Sequence, residues 1–89
     1  MKLFAVLLGG SGGPGRLSED HETVFVVAED ERSAKTQARK KWTGHGRPHV
    51  DALSSVESVD GYDITVNPGG SASEREFVSY NDLPYDEED

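Results

Sequence analysis

His49-Val50-Asp51-Ala52-Leu53-Ser54-Ser55-Val56-Glu57-Ser58-Val59-Asp60-Gly61-Tyr62-Asp63-Ile64-Thr65-Val66 is the stretch that decides the fold. Asp60-Gly61 is a strong hairpin signal, because both residue types tolerate the left-handed backbone of a tight turn. After it, Tyr62, Ile64 and Val66 alternate with polar residues, the period of a half-buried strand. Before it, His49 to Val59 reads as a strand. The apolar parity changes between Ala52 and Leu53, as a β-bulge would make it. Two loop lengths fit the turn. A two-residue loop sets Glu57 on the face of Ile64; a three-residue loop, Val59 to Gly61, sets Val56 there. The second pairs two apolar side chains and is the one expected.

Working towards the amino end, Pro48 rules out a helix running into this strand. Asp30 to Trp42 reads as a helix. Asp30 is a suitable N-cap, acids stand at its start, and Arg39, Lys40 and Lys41 stand at its end, where the helix dipole favours cations. Gly44 is placed to terminate it. Its apolar stripe is thin, Ala34, Ala38 and Trp42, so the helix should lie close to a sheet. Thr23 to Val27 and Leu3 to Leu8 are apolar at both parities and read as strands covered on both faces, the latter central. Their connection is too short for a long crossover helix, so they should pair antiparallel. Gly9 to Gly15 reads as a glycine-rich loop, with Gly10, Gly12 and Gly13 the candidates for a lid over a neighbouring pocket.

Beyond Val66, Asn67-Pro68-Gly69-Gly70 breaks the chain, and Glu76 to Tyr80 suggest a short edge strand. The expected class is therefore α+β, in the order β-β-α-β-β, with one helix covering one face of a mostly antiparallel sheet. Residues 1–80 form a single domain and 81–89 a loose acidic tail.

Composition narrows the function. The chain of 89 residues has no cysteine, so neither disulfides nor thiolate metal sites are available. The apolar run Leu3 to Leu8 is far shorter than the roughly 20 residues of a spanning helix. The expected compartment is the cytoplasm, with no membrane partner. Net charge is −8 and uneven: residues 1–48 sum to +2 and residues 49–89 to −10. Such a surface repels phosphates, which argues against general nucleic-acid binding.

Together the segments resemble the bacterial family called domain of unknown function 1543. The residues that carry the likeness are Leu3-Phe4, Leu8-Gly9-Gly10, His21 leading into Val24-Phe25, Trp42, His49-Val50-Asp51-Ala52 and Val59-Asp60-Gly61-Tyr62. Asn67, Gly69-Gly70 and Glu76-Phe77 match more loosely. The segment from His49 to Tyr62 is the specific part. Departures are Glu22, Leu53 and Pro68. The resemblance implies a small α+β domain and no established activity, substrate or cofactor.

Three groups of residues invite chemistry. Gly10-Ser11-Gly12-Gly13-Pro14-Gly15 fits G-x-G-x-x-G, but a strand follows where that motif needs a helix to hold a pyrophosphate. A hairpin loop is the simpler reading. His21, His49 and Asp51 could converge if their strands are neighbours. Two histidines and a carboxylate suit zinc, iron or proton transfer, while the simpler reading is mutual and backbone hydrogen bonding. Lys35, Arg39, Lys40, Lys41 and Arg47 beside Trp42 form a basic patch suited to phosphate, or merely complement the helix dipole.

These readings name His21, His49, Asp51 and Trp42 as a ligand pocket, and assign no catalytic residue, metal or cofactor. The function expected is a non-catalytic binding or interaction module acting as a homodimer, with a small ligand or protein partner also open. The alternative is a small enzyme or metal-binding protein using His21, His49 and Asp51.

Overall fold

A computed structural model of the chain describes residues 1–70. Strands β1 (Lys2–Ser11) and β2 (Asp20–Ala28) are followed by helix α1 (Glu31–Lys40) and strand β3 (His45–Ser55). A short hairpin, β4 (Ser58–Val59) and β5 (Tyr62–Asp63), comes next. The three long strands form one antiparallel sheet in the order β2-β1-β3, and the hairpin is a separate two-stranded ribbon. This is the small α+β domain anticipated, with β1 at its centre.

The period of two along β1 explains the layering. Phe4, Val6 and Leu8 point to one face, where they are buried with Val24, Val26 and Ala28 of β2. Helix α1 contributes only Ala34 and Ala38 to this core. Their small size lets the helix backbone approach the sheet, and Trp42, Val50 and Leu53 close the sides. Each fully buried valine or leucine contributes about 1.5–3 kcal/mol relative to exposure, so the core is small but sufficient for one layer of helix.

Asp30 caps α1 as anticipated: its extended backbone ends the preceding chain, and its carboxylate accepts the Ser33 N–H at 2.8 Å. That hydrogen bond, made by the charged form, holds the Asp30 carboxyl below its ordinary range. The far end differs from expectation. The helix stops with Lys41 in a right-handed conformation, its N–H bonded to Ala38 O at 2.9 Å. Gly44 makes no left-handed cap. It stands beside the Trp42 ring, where a side chain has no room.

Four further expectations are corrected. Strand β1 runs through Gly9 and Gly10 to Ser11, so Gly10 is a buried strand residue and the connecting loop starts at Gly12. The glycines serve as strand residues because both are roofed by side chains, Gly10 by Trp42 at 3.1 Å from where a Cβ would lie. Among the described residues β2 stands at the edge of the sheet, and no helix or strand covers the second face of β1 and β2. On that side Leu3, Ala5, Leu7 and Phe25 are half-buried and Val27 is 39% exposed, with Val66, Asn67 and Pro68 standing beside Val27.

Strand β3 starts at His45, before Pro48, and ends at Ser55. Proline is tolerated because, among the described residues, β3 has no strand on its outer side whose ladder a missing N–H would break. The hairpin loop has two residues. Val59 pairs with Tyr62, and Asp60 and Gly61 both have positive φ, 53° and 84°. Glu57, not Val56, faces Ile64, whose N–H it binds at 2.9 Å. The mirror-image turn matches strand twist, and that preference outweighs one apolar pairing. The expected edge strand from Glu76 to Tyr80 and the tail at 81–89 lie outside the described residues.

Candidate functional site

Strand register brings two histidines to one glycine. Gly9 of β1 pairs with His21 of β2 on one side and with His49 of β3 on the other. Directly paired residues share a sheet face, so both imidazoles stand over Gly9 on the face opposite the helix. The bulge read from the parity change in β3 is present. Leu7 pairs with Ala52 and Leu8 with Val50, which leaves Asp51 as the extra residue. A bulge re-aims a side chain, and here Asp51 reaches across towards Gly9. A Cβ at position 9 would lie 2.5 Å from Asp51 Oδ2, 3.0 Å from His49 Nε2 and 3.2 Å from His21 Cδ2. The hollow exists because residue 9 has no side chain.

The polar atoms meet closely. Asp51 Oδ1 is 3.0 Å from His49 Nε2, and Asp51 Oδ2 is 3.1 Å from His21 Nε2. Glu19, just ahead of β2, places Oε2 at 3.3 Å from His49 Nε2 and 4.0 Å from His21 Nε2. Among the described residues no lysine or arginine pairs with either carboxylate; Arg16 is engaged with Asp20 at 2.5 Å and Lys2 with Glu57. The histidine side chains are about half exposed and Asp51 is 31% exposed, so the cluster is open to solvent.

Of the residues named from sequence, His21, His49 and Asp51 come together, and Trp42 does not join them. Trp42 lies on the helix side, its Nε1–H donating to His45 O at 3.3 Å. There it walls a separate cleft of about 470 Å³ with Arg39, Lys40 and Arg47. Glu22 secures the turn beside it by accepting from Thr43 N at 3.1 Å and from the Thr43 hydroxyl. Gly12 and Gly13 sit in the β1–β2 loop, which Gly13 N–H to Ser11 Oγ (3.1 Å) and the Arg16–Asp20 pair hold in place. Glu19 was missed in the sequence. The available signal was its spacing: two residues before His21 in extended chain, it shares that residue's face.

The family model described as Domain of Unknown Function (DUF1543) matches residues 16–66, more than half of the chain. The chain belongs to this family. The matched span holds Glu19, His21, His49 and Asp51 but not the glycine beneath them. Neither a curated protein nor a solved structure gave a match. No helix among the described residues is long and apolar enough to cross a membrane.

The cluster offers two imidazoles and two carboxylates from three places in the chain. Such a set can exchange protons, bind a polar group or coordinate a cation. Its histidines are about half exposed, and among the described residues it lacks the water-excluding walls that make fixed charges effective in catalysis.

Proposed function

We propose that this domain is a non-catalytic binding module of the cytoplasm that works as a homodimer, with the sheet face opposite the helix as the working surface. The observation that supports this reading is the two-part character of that face. Leu3, Ala5, Leu7 and Val27 form an apolar strip along β1 and β2 among the described residues, and the cluster over Gly9 stands at the end of the same strip. A second copy meeting the strip by two-fold symmetry buries like against like. Absence of cysteine suits a reducing compartment.

Size and charge set the strength expected. A face three strands wide and seven residues long spans roughly 14 by 23 Å. That is roughly 320 Å² on each copy, below the area of a standard stable interface, so only a weak dimer is expected. The charge of −8 on each copy opposes association, and salt should relieve it. Light scattering coupled to size exclusion, at micromolar protein in low and high salt, tests the reading. A species of twice 9.7 kDa, favoured by salt and abolished by Leu7→Asp, is expected. A clean 9.7 kDa species under every condition sinks it.

A further inference from the structure

We infer that Glu19, His21, His49 and Asp51 form a site for one divalent transition-metal ion of the zinc type. The inference uses the same sheet face as the binding surface but does not require the dimer.

The spacing of the donor atoms is the first argument. Metal bonds of 2.0–2.1 Å in a tetrahedron separate neighbouring ligand atoms by about 3.3 Å. The contacts between histidine nitrogens and carboxylate oxygens here are 3.0, 3.1, 3.3 and 4.0 Å. Glu19, His49 and Asp51 each offer one ligand atom, all within 4.8 Å of one another; His21 stands outside that group of three, with its Nε2 3.1 Å from Asp51 Oδ2, and is the nearest candidate for a fourth ligand. Small side-chain rotations close such a set around one ion.

Electrostatics is the second. A neutral imidazole has one N–H, and an ionised carboxylate only accepts. His49 Nε2 faces two carboxylates, so one N–H is shared between acceptors that repel each other. The ion pairs of Lys2 and Arg16 go to Glu57 and Asp20 and not to these two carboxylates. A doubly charged ion at the shared focus offsets the repulsion, and the imidazole nitrogens become ligands instead of strained donors. Two imidazoles with two carboxylates favour zinc, cobalt or nickel over calcium or magnesium, which prefer oxygen alone.

The scaffold is the third. The ligands are carried by β3, by β2 and by the residue just ahead of β2, with β1 lying between. A coordinated ion therefore ties the two edge strands across the central one, and Gly9 leaves the space in which it sits.

The test is titration of metal-free protein with zinc chloride, followed by calorimetry and thermal unfolding. One equivalent and a raised melting temperature are expected. Long-range proton–nitrogen spectra should move the Nε2 signals of His21 and His49 and leave those of His45 in place. His49→Ala and Asp51→Ala should each weaken binding by about tenfold or more, at least the effect of losing an outer-shell partner, while His45→Ala changes nothing. If a variant loses its fold by circular dichroism, the spectra of the natural protein decide alone. The inference is overturned if zinc, cobalt and nickel all give neither heat nor stabilisation. It is equally overturned if binding survives both substitutions or moves His45. Those outcomes leave the dimer question untouched, and a monomer that binds one zinc leaves this site standing.

Discussion

Gly9 and Asp51 occupy one volume: a Cβ on residue 9 would stand 2.5 Å from Asp51 Oδ2. The glycine is there for the aspartate, not for backbone freedom, since Gly9 is absent from the positive-φ residues of the described chain. Gly9→Ala should therefore push Asp51 away while leaving every polar group of the cluster in the chain. Because an open carboxylate can swing outward, stability should change by less than about 1 kcal/mol, below the usual cost of overpacking a core. Zinc titration together with urea unfolding checks this: affinity falls about tenfold while the unfolding midpoint holds.

The hairpin turn gives a backbone prediction. Asp60 and Gly61 both have positive φ, so Gly61→Ala forces a Cβ into the left-handed region. The cost should be about 1 kcal/mol. Asp60→Asn, which tolerates that conformation, should be close to neutral. Denaturant midpoints of the two variants, compared with the natural protein, measure the difference.

Trp42 is the single tryptophan, half-buried beside Val50 and Leu53 against the helix-side core. Trp42→Ala removes most of the cover at the carboxyl end of α1. A loss of about 2–4 kcal/mol is expected, somewhat under the range for fully buried tryptophan. In the natural protein its fluorescence reports unfolding directly; the variant is followed by circular dichroism.

Asp30 makes the helix start sensitive to acid. Its pKa is lowered in the folded protein by accepting from Ser33 and by nearby Arg32. A group whose folded pKa lies below its unfolded value adds stability above the unfolded pKa. That contribution is present above about pH 4 and drains away as pH falls through the lower folded value. Asp30→Ala should lower the melting temperature at neutral pH and flatten its dependence below pH 4, while Asp30→Ser should keep most of the stability. Thermal unfolding across that acid range, for all three proteins, is the measurement.

Much of this architecture was legible in the residues. Asp30 caps its helix because a short acceptor precedes free N–H groups, and that chemistry is local. The change of apolar parity between Ala52 and Leu53 announced a bulge, because an unbroken strand keeps its apolar residues on one parity, and the structure makes Asp51 the extra residue. The Asp60-Gly61 turn was likewise written in two residues, though not its length: both loop sizes satisfy the pattern, and twist matching between the strands selects the shorter. The glycines after Leu8 misled for a related reason. Glycine reads as loop, yet Gly9 and Gly10 are strand residues whose missing side chains are demanded by neighbours far away in the chain.

The chain alone, then, determined the class of fold, the central place of β1, the antiparallel pairing and the histidines and aspartate worth watching, since these follow from side-chain period, turn chemistry and short connections. Only the tertiary structure decided that His21 and His49 flank Gly9, that Glu19 joins them and that Trp42 does not. The reason is register: a slip of one residue in either strand pair turns every side chain to the other face, and nothing local to Glu19, His21 or His49 states which residue of β1 will lie between them.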